Sequence, residues 1–408
     1  MNFSKAKGAA SLVVAGAFVA AMFPGVSSAS GAITAGSLNT GYSTMLLPAI
    51  QSLAAHAKGG IGVILPDETT STRYVEFDAP AMTTAFSDAG LTPAQFNVQN
   101  AQGSDSLAIA DAEADISHKD KVLIVDVEDS ATAATIQKKA NLAGVKVIDY
   151  DRLYSKGAAY VSFNNVTVGT LIGKGLVTCL TTFKVKSPLL YVMDGAATDP
   201  NAAEFAAGYD AVLTAKGFAP KEGGSGNAKT IAESAGTWTP SVALTDFQGA
   251  YSKSNNKINA VVTPNDENAA PIISYLQGLG LGPKTIPFTG QDATLQGFQN
   301  IISGYQCGTV YKPSWEEAQA AAVAALYLDA GKSIPASLLT GKTTITGTSI
   351  NVPTVELNPT WVTTANVEST VIKDGVINKY ALCTGVRPTV KGHHLPTFAA
   401  DCKTFGIK

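Results

Sequence analysis

KINAVVTPNDENAAPIISYLQGLGLGPKTIPFTGQDATLQGFQNIISGYQCGTVYKP, residues 257–313, is the stretch on which the fold turns. It holds short apolar runs that each stop at a polar cluster before a helix-like segment begins. The β-branched run 258–263 stops at Asn265-Asp266, the run 285–289 at Gly290-Gln291-Asp292, and the run 308–311 at Lys312-Pro313. Short apolar runs bounded by turn residues read as buried strands, and strands alternating with helices form a parallel sheet. The carboxyl ends of neighbouring parallel strands lie side by side along one edge, where such sheets bind ligands. Asn265, Asp266, Asp292 and Lys312 are therefore expected to converge. An amide, carboxylates and an ammonium, with no nucleophile, metal-ligand spacing or glycine cradle for phosphate, suit a neutral polyol, whose hydroxyls need both donors and acceptors. The competing reading is that these groups only cap the helices that follow.

Working outward, the same alternation begins at 61–65, a short buried-type strand followed by the polar loop 66–73 and a helical stretch over 74–89. Strands at 96–99, 121–127 and 145–150 alternate with helices at 104–117 and 131–143. After a strand at 160–163 the pattern restarts with a helix at 166–183, a strand at 188–193 and a helix at 201–216. Two such series imply two lobes with parallel sheets and right-handed crossovers. Beyond the opening stretch, 316–330 is a helix with acidic residues in its first turn, and 343–357 is Thr/Ile/Val-rich and reads as strand. Residues 30–58 show no clear period and read as an N-terminal arm.

Two further positions carry binding chemistry. Asp151-Arg152 follows the strand 145–150 at once, and an acceptor beside a forked donor can grip adjacent hydroxyls. A local surface ion pair is the plainer alternative. Trp238, within TWTP at 237–240, could stack an indole face on the C–H face of a pyranose, or could simply fill a core.

Composition narrows the function. The 408 residues suffice for two domains with real cores, and a net charge of −3 with 15% charged residues offers no electrostatic case for nucleic acid or an anionic membrane. Residues 1–29 carry Lys5 and Lys7, an apolar run over 9–23 and Ser27-Ser28-Ala29, the signature of a secretory signal peptide with the exported chain starting near Ser30. That segment has no cysteine for lipid attachment, so a periplasmic or cell-envelope location is expected. Cys179, Cys307, Cys383 and Cys402 are an even set in an exported chain. Cys383 with Cys402 would close the loop around His393-His394, a plainer reading than a metal site, and Cys179 with Cys307 would be the second pair only if the helix and strand that carry them are neighbours, which residue order leaves open.

Several motifs taken together carry a family resemblance. YDR (150–152), VSFNNVTVG (161–169), NNKINAVVTPNDENA (255–269), GQDATL (290–295), TVYKP (309–313) and STVIKDG (369–375) follow one another in the order found in the periplasmic sugar-binding proteins of type I fold. Over about 61–379 the chain resembles that family, its D-xylose-binding members above all. The resemblance implies an α/β fold of two doubly wound parallel-sheet lobes joined by a three-strand hinge, with crossings near Ser162, Lys312 and Ile345. The lobes would be 59–162 plus 313–345 and 163–312 plus 346–365, with 366–408 a disulfide-tied tail.

It also implies site residues. The sugar contacts carry over to Arg73 and Tyr74, Asp151 and Arg152, Asp199 and Asn201, Trp238, Asn265, Asp292 and the crossover Lys312. The chain departs from the family at Pro200, between Asp199 and Asn201, and at Pro66-Asp67-Glu68 in place of paired aspartates. The implied ligand is a monosaccharide, D-xylose first and glucose, arabinose or ribose as alternatives. The implied partners are an ABC permease and its ATPase, or a membrane sensor to which the sugar is presented. The protein would act as a monomer without cofactor or metal.

Rival functions fare worse. A glycosidase could use Asp151 and Asp292 as its carboxylate pair, but both sit beside cations or amides that keep them ionised. A DNA-binding repressor is excluded by the export signal and by the lack of a basic helix-turn-helix before the first lobe.

Overall fold

In this computed structural model the described residues are 33–38, 46–68, 70–218, 230–234, 236–385 and 397–407. The expected signal peptide and His393-His394 lie outside them. Strands form where β-branched runs are bounded by polar turns. They are β1 (Ile61–Leu65), β2 (Phe96–Asn100), β3 (Val122–Val125), β4 (Lys146–Tyr150), β5 (Ala159–Phe163), β6 (Leu190–Met193), β7 (Thr230–Ser234), β8 (Ala260–Val262), β9 (Thr309–Tyr311), β10 (Gly341–Thr344), β11 (Asn351–Leu357) and β12 (Thr360–Val362). β1, β3, β5, β6 and β8 are buried along their whole length, as strands of a parallel sheet covered on both faces must be.

The first sheet has the order β10-β11-β5-β4-β3-β1-β2 and is parallel except for the β10–β11 pair. The second has β7-β6-β8 in parallel and continues through single bridges at Phe288 and Gln291 to β9, against which β12 runs antiparallel. The strand expected at 285–289 is thus reduced to a bridge. Pro287 has no N–H to give, and only its carbonyl joins the ladder, accepting from Val261 N at 3.0 Å.

The chain passes between lobes after β5, again at Lys312-Pro313, and again at Asn358-Pro359 between β11 and β12. The last crossing corrects the expectation of one near Ile345. β11 pairs in parallel with β5, Thr354 with Tyr160 through Leu357 with Phe163, so 346–357 belong to the first lobe and not the second. A turn at Gly347, with φ 76°, folds the Thr-rich run 343–357 into a hairpin. That run looks like one strand in sequence because hairpin and continuous strand share the same residue preferences.

Both termini also join lobes rather than trailing from them. Leu38, Leu46, Ile50 and Leu53 of the N-terminal arm are buried in the first core. Val371, Leu382, Phe398 and Ile407 of the tail pack with Phe298, Ile301 and Ile302 of the second lobe. The disulfides are Cys179–Cys307 and Cys383–Cys402, the expected pairs. The helix Ser314–Asp329, rich in alanine and buried almost all round, lies in the first core and anchors the segment that carries Lys312.

Candidate functional site

Topology places the carboxyl edges of the two sheets opposite each other. On the first lobe the loop after β1 supplies Ser71, Arg73 and Tyr74, and Asp151-Arg152 follow β4. On the second, Asp199 and Asn201 follow β6, Trp238 follows β7, Asn265 follows β8, Asp292 follows the Phe288 bridge, and Lys312 follows β9. These residues line one cavity of about 20 Å³, together with Ser71, Phe205 and Gln291. That volume is little more than the ~10–15 Å³ one water needs, so the lobes are closed on each other.

Capping and site duties turn out to be compatible. Asp199 starts the helix Pro200–Ala215, its Oδ1 accepting from Asn201 N at 2.8 Å, and Pro200 occupies the first helical position, where a missing N–H costs nothing. Its other oxygen, Oδ2, accepts from Arg152 Nε at 2.9 Å and from Trp238 Nε1 at 3.0 Å. Asn265 likewise caps Asp266–Gly278 through Asn268 N at 3.0 Å while lining the cavity. Asp266 is a correction. It turns away from the cavity, accepting from Thr294 N at 2.9 Å and Gln306 Nε2 at 2.7 Å, and so holds the next helix in place behind the site. Neighbouring residues at a strand end point in different directions, which strand counting alone does not resolve.

Asp151 is the centre of the first-lobe half. Its carboxylate takes Tyr74 Oη at 2.8 Å and Arg73 Nη1 at 3.3 Å, and Lys312 Nζ stands 3.9 Å away. Tyr74 lies near both guanidiniums, with Arg73 Cζ 5.2 Å and Arg152 Cζ 5.8 Å from its ring centroid. Arg73 is itself held by Asp78, through Nε at 2.9 Å and Nη2 at 2.7 Å, and by Glu317 at 2.7 Å. Asp151 and Asp292 both have left-handed backbones, φ 56° and 81°. Such non-glycine conformations persist where the surroundings over-determine them, and they gather at ligand sites.

The lobes also touch directly. Arg152 reaches Asp199, Asn201 Nδ2 donates to the Asp151 carbonyl at 3.0 Å, and Tyr154 Oη donates to the Thr198 carbonyl at 2.8 Å. Thr72 N and Oγ1 both donate to Glu267 Oε1 at 3.2 Å. Lys312 Nζ is 3.2 Å from Asp292 Oδ1 and 5.8 Å from the Phe205 ring centroid, so this ammonium contacts the second lobe from the crossing itself.

Burial sets the protonation pattern. It raises the Asp266 carboxyl to about 7, Glu267 to about 8 with help from Asp292, and Glu317 to about 8 against the pull of Arg73. Burial pushes Asp151 up as well, but the charges of Arg73, Lys312 and Arg152 outweigh it and hold the group well below the usual carboxylate range. A carboxyl whose folded value is raised binds more protons folded than unfolded, so stability is lost as pH rises from about 4 toward about 8. The Asp151 contribution has the opposite sign and is lost only below about pH 4. The urea midpoint is therefore expected to be higher at about pH 5 than at about pH 8. An equal or higher midpoint at pH 8 would show that these carboxyls are ionised in the folded protein.

Sequence reasoning left out three lining residues. Gln291 stands between Gly290 and Asp292 in the quoted stretch, and Phe205 lies one helical turn beyond Asn201, on the same face. Ser71 sits two residues before Arg73 and carries no comparable signal.

The periplasmic binding protein domain matches residues 61–333. This chain belongs to that family. The D-xylose-binding periplasmic protein of Escherichia coli is 34% identical over 281 residues, 68% of this chain and 80% of the relative. Its namesake from Haemophilus influenzae is 33% identical over 289 residues, 70% of this chain and 82% of the relative. The crystal structure of a carbohydrate transporter solute binding protein from Chloroflexus aurantiacus, in complex with D-glucose, has a TM-score of 0.65 at 24% identity, covering 78% of this chain and 96% of that one. The shared architecture is the type I periplasmic binding protein fold. Periplasmic binding proteins are solute-binding transport components and not enzymes.

Proposed function

We propose that this periplasmic binding protein, exported through the segment 1–29, captures one monosaccharide between its lobes and delivers it to an ABC permease and its ATPase. The observation that carries the reading is the gathering, in one cavity, of charged and amide groups from both lobes and the hinge. Hydroxyls contacted by Arg73, Asp151 and Arg152 on one side and by Asn201, Asn265 and Asp292 on the other are satisfied together only when the lobes are closed. A sugar therefore favours closure by its differential contacts, and closure removes the water that would weaken each charged hydrogen bond. Entry requires the lobes to part and Lys312 to leave Asp292, since the closed cavity is far smaller than a pyranose.

D-xylose is the first candidate, supported by the names of relatives at 34% and 33% identity. The test is calorimetric titration of the exported chain with D-xylose, D-glucose, L-arabinose and D-ribose. One-to-one binding, tightest for D-xylose, is expected. Equal or tighter binding of D-glucose would show that the pocket accepts the extra hydroxymethyl group and would overturn the pentose assignment. Binding of none of the four would overturn the monosaccharide reading.

A further inference from the structure

We infer that the back of the hinge carries a second binding site, for a small organic ammonium ion. A cavity of about 320 Å³ lies there, distinct from the cleft. Trp315, Glu316 and Glu356 line it from the first lobe, and Tyr311, Lys373 and Asp374 from the second. Pro313 and Asn358, at two of the crossings, also border it.

Glu316 is the residue that points to a ligand. It is only 9% exposed, borders the cavity, and accepts no hydrogen bond from any described residue. Its side chain is largely withdrawn from water without a protein partner, and its oxygens keep contact with the cavity, where a cation can complete them. The two aromatic donors beside it are engaged elsewhere. Trp315 Nε1 donates to Tyr311 Oη at 3.1 Å, and Tyr311 Oη donates to Asp374 Oδ2 at 3.2 Å. Among the described lining residues, three carboxylates, Glu316, Glu356 and Asp374, stand against one ammonium, Lys373, which leaves the cavity negative. Burial, with Asp374 adding to it, pushes the Glu316 carboxyl up to about 7, as expected of an acid lacking a counter-charge.

The space and lining favour an organic cation over a metal ion. Among the described residues no three His, Cys, Asp or Glu side chains gather as a metal ligand set. The volume lies within the ~300–1,000 Å³ usual for small-molecule sites, and aromatic walls suit an ammonium. Glu316 opens the helix Ser314–Asp329 of the first lobe, whereas Asp374 belongs to the second. An ammonium held between them spans the hinge, so its affinity must depend on how far the lobes are closed, and cleft occupancy must respond in turn.

The experiment titrates the exported chain with putrescine, calcium chloride in a parallel cell, at about pH 8 where Glu316 is ionised. Saturable one-to-one putrescine binding is expected, weakened at least about tenfold in Glu316→Gln and in the exposed variant Asp374→Asn, and retained in the cleft variant Asp292→Asn. Retention in Asp292→Asn separates this site from the sugar site, so failure of either reading leaves the other standing. No saturable heat up to about 10 mM putrescine, equal binding in Glu316→Gln and Asp374→Asn, or saturation by calcium alone would each overturn the proposal.

Discussion

Replacing Arg73 with methionine is expected to lower the unfolding free energy by about 3–5 kcal/mol, the usual cost of removing one partner from a buried ionic cluster. Arg73 is 2% exposed and makes charged hydrogen bonds to Asp78, Asp151 and Glu317, none of which reaches solvent to any extent. Methionine fills much the same volume, so the loss is electrostatic and not a cavity. Among the described residues Asp78 retains only the Tyr150 hydroxyl, and Asp151 keeps Tyr74 and the more distant Lys312. Urea unfolding of the two proteins measures the effect directly. The double variant Arg73→Met/Glu317→Met should recover part of the loss, because one of the stranded carboxylates goes with it. A midpoint unchanged in Arg73→Met would mean that the cluster is neutral when folded and that Arg73 does not hold Asp151 in place.

The second large effect is on binding. Asp292→Asn is expected to weaken the sugar complex about 100-fold, equivalent to roughly 3 kcal/mol or about two charged hydrogen bonds. Asp292 Oδ1 is buried with Lys312 as its ionic neighbour and no hydrogen-bond donor among the described residues, and Oδ2 has only a long 3.5 Å contact from Gln291. Both oxygens are thus free to accept from adjacent hydroxyls once Lys312 moves to the ligand. Asparagine tolerates the left-handed backbone at this position as aspartate does, so shape is kept while the charge is lost. Titration with the tightest sugar of the panel, beside a urea melt to show that folding is intact, checks the expectation. An affinity within about twofold of the parent would remove Asp292 from the contact set and count against the cavity as the sugar site.

Much of this site was legible from residue order because its logic is local. A β-branched run that stops at a polar pair announces a strand end, and of the positions read that way Asp151, Arg152, Asn265, Asp292 and Lys312 line the cavity between the lobes, whereas Asp266 does not. Capping and lining are not alternatives at Asn265, which does both. Phe205 and Gln291 could have been added by asking which residue follows one turn after Asn201 and which precedes Asp292 on the same strand end.

What residue order by itself determined is the alternation of strands and helices, the division into two lobes and several of the strand-end groups, readable from periodicity and turn chemistry, while the pairing of the four cysteines came from the tertiary structure. Only the tertiary structure decided that 346–357 returns to the first sheet, that the arm and tail complete opposite cores, and that Asp266 faces away from the cleft. Only it revealed that Glu316 borders a cavity at the hinge. Those outcomes depend on which distant segment offers the better ladder or the better-matched donor. That choice rests on contacts between residues far apart in sequence, for which local patterns carry no signal.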